Sequence, residues 1–350
     1  MNTKLNDPML RHAPEEQSKL RVDLYKRIAG ISGYGIPFAD AKHKGLLHTI
    51  AGAQPKGGYF QKRITQKRQD LSMAAVVIPE PNLGLNEVGF PREAALDLFR
   101  PFVVRKLQEM GHASNPLEAQ KVLALRGPAS FAALQKVVEE RPTLLKRDPS
   151  LHKYSIQGFD VKLTTGNAIK LHPLVCGGFG ADFDGDVMRA YVPISKDAIA
   201  EVHHMKPTAS LFSEASNRLM YVPTLGSALG IYKTSLPGKD TGKEFSSHGH
   251  VVAAARDKSI TVNDIVTVGG KKTTAGRVLL SMTMPEAFQN ELLHDVHKPL
   301  NNKALEAMLT RLGKDHHADF DKSVNMIKDV GYHASFGVIP VPGMPKGKEV

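Results

Sequence analysis

The stretch "GFGADFDGDVM", from Gly178 to Met188, places aspartate at 182, 184 and 186, with Gly185 between the last two. Carboxylates this close repel one another unless a cation or protons intervene. They can converge only if the backbone curls around their focus, and Gly185 makes that curl sterically easy. The surrounding segments "YSIQGFDVKLT", "AIKLHPLV" and "VMRAYVPI" carry β-branched residues and glycine turns. The aspartates therefore fall in a loop between short strands of a β-rich unit. Upstream, "MAAVVIPEPNLG" reads as a further strand closed by a Pro-Gly turn signal. Between these strands lies a helical insertion. Its first helix starts near Pro91 and must bend or restart at Pro101. Its second has Asn115 as N-cap, Pro116 at the first helical position and Glu118 completing a capping box. Its third runs from about Ser130 to Glu140 and stops before Pro142.

Asp-Gly pairs mark turns, and an acidic loop is often no more than a solvated one. An EF-hand needs glycine at the sixth loop position and glutamate at the twelfth. Counted from Asp182 these are Val187 and Pro193, so that calcium loop is excluded. A magnesium-dependent phosphatase of the haloacid dehalogenase type carries Asp-x-Asp-Gly directly after a hydrophobic strand. Asp182, Asp184 and Gly185 match it, but "GGFGA" before them is no buried strand, and this stands as an alternative. The remaining chemistry is that of a hard metal. Magnesium takes oxygen ligands and completes its shell with water and substrate phosphates. A site left net negative by three carboxylates would stabilise a second ion arriving with a nucleoside triphosphate, the arrangement of two-metal phosphoryl or nucleotidyl transfer.

At 350 residues the chain has length for two or three domains. Its 46 basic and 35 acidic residues give a net charge of +11, which favours a polyanionic partner, nucleic acid above all. The absence of Trp argues against an aromatic platform for single strands. Cys176 is the only cysteine, so neither an intramolecular disulfide nor a zinc site of several thiolates is expected, and a reducing compartment is. The N-terminal stretch lacks the apolar core of a signal peptide, and no run of apolar residues is long enough to cross a membrane. A cytoplasmic protein without membrane contact is the expectation. A helix from Glu15 to Ile28 is expected first, followed by a Gly-rich loop. Beyond Lys196 the chain mixes helices, including Pro285 to His297 and Asn302 to Leu312, with short strands.

The segment "LHPLVCGGFGADFDGDVMRAYVPIS" closely resembles the catalytic loop of the largest subunit of multisubunit RNA polymerases, β′ in bacteria. The family motif there is Asn-Ala-Asp-Phe-Asp-Gly-Asp, preceded by Leu-His-Pro-Leu-Val. "KGGYFQKRITQKRQDLSMAAVVI" is similar to the family stretch that begins Gly-Arg-Phe-Arg and runs to Lys-Arg-x-Asp-x-Ser, here Lys67, Arg68, Asp70 and Ser72. "FPREAALDLFRPFVVRKL" resembles the helix that follows the first barrel strands. "KRDPSLHKYSIQGFDVKL" resembles Asn-Arg-x-Pro-x-Leu-His, with Arg147, Pro149, Leu151 and His152 in place. "PTLGSALGIYKTS" and "TTAGRVLLSMTMP" follow in the family's order, so the resemblance spans roughly residues 18–340.

The resemblance implies an α+β fold, a double-psi β-barrel with helical insertions and a mixed α/β C-terminal part. The implied domains are a helical segment at 1–55, a barrel at 56–195 with its insertion at about 91–147 and catalytic loop at 180–186, and a mixed α/β region at 196–350. It implies DNA-templated RNA synthesis, in which the RNA 3′-hydroxyl attacks the α-phosphate of a ribonucleotide and releases pyrophosphate. Asp182, Asp184 and Asp186 would be the catalytic magnesium ligands, the second ion arriving with the triphosphate, and no zinc is implied. Arg147 resembles the arginine that approaches the incoming ribose. Gly180 stands where the family has an asparagine placed to hydrogen-bond the sugar. Lys62, Arg63, Lys67 and Arg68 fall in register with a region that contacts template or hybrid phosphates. His152 and His172 are expected to be structural. The segments for the zinc-binding clamp, bridge helix and trigger loop have no counterpart here. The implied partners are one or more β-like subunits, a further β′ piece carrying bridge helix and trigger loop, DNA template, RNA–DNA hybrid and ribonucleoside triphosphates. A split subunit of a large bacteriophage, acting in the bacterial cytoplasm and open to packaging in the virion, fits that pattern, and so does a truncated fragment or a degenerate paralogue. A non-catalytic β′-like assembly subunit is the opposing class. A scaffold would have no physical use for three mutually repelling carboxylates.

Overall fold

The computed structural model describes residues 14–32, 46–52, 57–65, 69–294, 296 and 298–336. The chain divides into two compact units, Met1–Asp70 and Leu71–Val350. In the first, helix α1 (Pro14–Ser32) opens with Glu15 and Glu16 in its first turn, where carboxylates oppose the positive end of the helix dipole. Helix α2 (Leu46–Ala51) and a π-type turn at Gln61–Thr65 follow.

The second unit begins with strand β1 (Ser72–Pro79) and β2 (Glu87–Pro91). Four helices then intervene: α3 (Arg92–Leu98), α4 (Arg100–Glu109), α5 (Pro116–Ala124) and α6 (Pro128–Glu140). The break expected near Pro101 is real. α3 stops at Phe99, and Pro101 sits in the first turn of α4, where its missing N–H costs nothing. Asn115 caps α5 by accepting from Glu118 N at 2.9 Å. The Glu118 carboxylate reaches back to Ser114 N at 2.8 Å, one residue before the position a capping box uses.

The chain re-enters the β unit through β3 (Thr143–Arg147), β4 (Ile156–Thr164) and β5 (Ile169–Leu171). A four-residue helix α7 (Cys176–Phe179) precedes β6 (Val187–Tyr191). The six strands close in the order β1-β5-β2-β4-β3-β6. β1 runs parallel to β5 and β2 parallel to β4, and the other neighbours are antiparallel. This is a double-psi β-barrel. Alternation sets its interior: Leu145, Phe159, Val161, Ile169, Leu171, Met188 and Ala190 point inward and are buried. Buried faces of α3 to α6, among them Leu96, Val103, Leu107, Leu134 and Val137, extend the same core.

Beyond the barrel come α8 (Lys196–His204), α9 (Leu225–Ser235), β7 (Asp240–Phe245), α10 (His248–Arg256), β8 (Ile265–Val268) and β9 (Lys271–Thr274). Helices α11 (Ala275–Ser281), α12 (Glu286–Leu293), α13 (Asn302–Asp315) and α14 (Phe320–Ser335) complete the described chain. β7, β8 and β9 form a separate three-stranded sheet with its own small core around Val251, Ile260, Val266 and Val278. Helices α9, α13 and α14 instead share the barrel's core through Ile231, Leu309, Phe320, Val324 and Ile327. α14 is fastened to the barrel by polar contacts. Leu85 N donates to Asp321 Oδ1 at 3.1 Å, and Lys328 Nζ donates to Pro81 O at 2.5 Å. His172 is fully buried: its Nδ1 accepts from Leu174 N at 3.1 Å, and its Nε2 lies 2.7 Å from Asn325 Oδ1. It is a structural histidine, as expected, whereas His152 lies exposed on the surface. Among the described residues, no helix is long and apolar enough to cross a membrane.

Candidate metal centre

The aspartate loop connects α7 to β6. α7 ends because Gly180 enters the left-handed region, with φ 59° and ψ 37°. Ala181 N then donates back to Cys176 O at 3.0 Å. Gly185 has φ 122°, a conformation that side chains oppose, and it reverses the chain toward β6. Ala181 and Phe183 turn inward and pack on the core, so that Asp182 and Asp184 face outward. The far end of the loop is tied to β1, where Val77 N donates to Asp186 O at 3.0 Å. These constraints bring carboxylate oxygens of Asp182, Asp184 and Asp186 to within 4.8 Å of one another.

Asp186 is the most firmly held by its partners. Arg147, the last residue of β3, lies opposite Met188 on β6. Its Nε donates to Asp186 Oδ2 at 2.7 Å and its Nη2 to Oδ1 at 3.2 Å, a bidentate pair. Asp182 N also donates to Asp186 Oδ2, at 3.2 Å. The guanidinium, and then the Asp182 amide, hold the Asp186 carboxyl below the usual carboxylate range. Asp184 moves the other way. The hydrogen-bonded Asp182 carboxyl beside it, and then the charge of Asp182, push its pKa up. The loop thus holds more negative charge than its own groups can balance.

That donor set suits a hard divalent cation. Neighbouring oxygens around octahedral magnesium lie about 3 Å apart, so small side-chain rotations would close the group around an ion. A few residues away Asp148 bridges Lys146 Nζ at 2.8 Å and Arg189 Nε at 3.1 Å, joining β3, which ends at Arg147, to β6, which follows Asp186. Gly180 contributes no side chain, and a Cβ built there meets nothing within 4 Å.

The structure therefore brings together Asp182, Asp184, Asp186 and Arg147, with Gly180 in the same loop. Lys62 and Arg63 are exposed in the π-type turn of the N-terminal unit, and Lys67 and Arg68 lie outside the described residues. The residues the sequence did not single out are Phe183, which anchors the loop, and the Asp148 bridge. Alternation of Ala181 and Phe183 with the aspartates was the available signal for the first. Nothing in the sequence pointed to the second.

Residues 113–208, which include the aspartate loop, match the family model described as RNA polymerase Rpb1, domain 2. The chain is 35% identical over 305 residues to the "DNA-directed RNA polymerase subunit beta'" of Thermodesulfovibrio yellowstonii, covering 83% of this chain and 22% of that protein. It is 36% identical over 299 residues to the subunit of the same name from a Sulfurihydrogenibium species, covering 83% of this chain and 18% of the relative. The subunit from Aquifex aeolicus gives 35% over 302 residues, again 83% of this chain and 18% of the relative. The chain spans about a fifth of the length of these curated relatives. Barrel, aspartate loop and sequence agree: over most of its length this chain is similar to the middle region of the bacterial RNA polymerase β′ subunit.

Proposed function

We propose that this chain supplies the metal-binding aspartates of a multisubunit DNA-dependent RNA polymerase. The observation that carries the reading is the convergence of Asp182, Asp184 and Asp186 on one loop of a double-psi barrel. Asp182, Asp184 and Asp186 would hold a divalent ion, which would supply a lowered pKa for the attacking RNA 3′-hydroxyl and charge stabilisation at the α-phosphate, with a second ion expected to come with the triphosphate. The chain's own residues orient that chemistry. Asp182 and Asp184 present exposed oxygens, and Gly185 sets the curve that aims them. Arg147 fixes Asp186, and its spare guanidinium donors are read as serving a nucleotide's sugar. Lys62 and Arg63, with Lys67 and Arg68, are read as phosphate contacts that hold a duplex without reading its sequence.

The rest of the enzyme is read as coming from partners: β-like subunits and β′ sequence with bridge helix and trigger loop. It is the arrangement of the split polymerases of large bacteriophages, working in a bacterial cytoplasm. A non-catalytic assembly role is disfavoured by the uncompensated charge of the loop, since nothing but a cation or protons relieves it.

The test is RNA extension on a primed hybrid scaffold by the assembled complex at several magnesium concentrations. Asp184→Ala should abolish extension while DNA binding persists, and this chain alone should extend nothing. Near-normal extension by the Asp184→Ala complex would remove the assignment.

A further inference from the structure

Arg147 and Asp186 form the most enclosed ion pair of the loop, their side chains 25% and 19% exposed. Both oxygens of Asp186 are engaged by the guanidinium, and Oδ2 also accepts from Asp182 N. A cation that uses Asp186 as a ligand must share or displace these contacts. The backbone of Arg147 is held by the β3–β6 ladder, so the guanidinium can respond only by side-chain rotation.

We propose that Arg147 couples cation and nucleotide occupancy: its guanidinium holds Asp186 while the aspartates lack a cation, and turns to the nucleotide when a divalent ion takes that carboxylate. The inference rests on the polymerase reading and adds to it a role in metal binding. The charge balance supports it. Three carboxylates and one guanidinium leave the loop at about two negative charges, and a divalent ion close by repels Arg147. Of the five N–H donors on a guanidinium, Asp186 uses two, and the others are planar and directional enough to serve phosphate or hydroxyl oxygens. Released from Asp186, the whole fork becomes available to a triphosphate. Linkage makes the effect reciprocal: an anion that draws Arg147 away must tighten the cation on the aspartates by the same factor.

The experiment uses the full chain and Mn²⁺ alone, with free Mn²⁺ read by its paramagnetic resonance signal. Arg147→Ala should bind Mn²⁺ about tenfold more tightly, the effect of removing one unit charge a few ångströms from a divalent ion in water-like surroundings. Arg147→Lys keeps the charge and should stay close to the parent. Against an Asp186→Asn background the Arg147→Ala gain should shrink, because the competition runs through that carboxylate. An exchange-inert cobalt(III)–ATP complex then probes the other side. Its affinity for the parent should rise several-fold with Mn²⁺, and for Arg147→Ala it should not. Unchanged or weaker Mn²⁺ binding by Arg147→Ala overturns the coupling, as does an undiminished Mn²⁺ effect on the cobalt complex in that variant. The polymerase reading fails separately. Tighter Mn²⁺ in Arg147→Ala with no RNA extension by the assembled parent complex would leave the coupling standing and remove the polymerase. Extension with an unchanged Mn²⁺ affinity would do the reverse.

Discussion

Helices α9 and α14 cross so closely that a single methyl group decides whether they can meet. A Cβ placed on Gly230 would lie 1.7 Å from the carbonyl oxygen of Gly331, 2.7 Å from its carbon and 3.0 Å from Ser335 N. These are backbone atoms, so no rotamer change relieves the clash. Normal contact requires the helices to part by roughly 1.5 Å or more. That would also stretch the bond from Ser227 Oγ to Lys328 O, now 2.9 Å, and loosen Ile231 and Ile327 in the shared core. Overpacking of this kind costs about 1–3 kcal/mol, the upper end being appropriate for backbone against backbone. Better helix propensity returns about 1 kcal/mol. Gly230→Ala should therefore destabilise the protein by about 2 kcal/mol. Gly226, one turn earlier on the same helix, is the internal control, because its Cβ would meet only Ser335 Oγ at 3.8 Å. Gly226→Ala should be neutral or stabilising by up to about 1 kcal/mol. Urea unfolding followed by circular dichroism measures both, at constant slope. Propensity alone predicts the same sign for the two variants. If Gly230→Ala moves the midpoint upward as Gly226→Ala does, the close crossing is wrong.

Gly180→Asn should fold with a stability change below about 1 kcal/mol, because its left-handed backbone is one asparagine accepts and its Cβ would stand in open space. In the assembled enzyme it should raise the ribo-to-deoxy ratio of kcat/KM about two- to twelvefold, the worth of one neutral hydrogen bond; a folded variant with an unmoved ratio takes sugar selection away from this position. The Cys176 thiol is pushed up to about 11 by burial first and then by the charges of Asp182 and Asp186. It stays protonated at neutral pH, so alkylation should be slow in the native chain, fast in urea, and accelerate as pH approaches that value. Immediate stoichiometric labelling at neutral pH would contradict this burial. Neutralising Lys62 and Arg63 should lower the slope of log affinity for a DNA–RNA hybrid against log salt by about 0.7–0.9 for each phosphate no longer neutralised. An unchanged slope would place both side chains in solvent.

Whatever depends on neighbours along the chain is legible in the sequence alone. Asn115 and Pro116 announce the start of α5, Pro101 announces the break before α4, and β-branched residues between glycine turns announce β4, β5 and β6, whereas β3 carried no such signal. The aspartate spacing around Gly185 is of the same local kind, because steric freedom at one glycine suffices to curl the loop. Resemblance supplied the barrel, since strand order is not written in any local signal. The contacts that fix the centre join residues far apart in the chain, and only the tertiary fold decided them. Arg147 meets Asp186 because β3 lies against β6, and nothing near either residue says so. His152 and His172 sit in similar Leu-His contexts, yet one is exposed and the other is buried because α14 brings Asn325 to its ring. Gly230 and Gly331 read as weak points in two helices until those helices are packed. Local propensity penalises each glycine, and the crossing permits nothing larger.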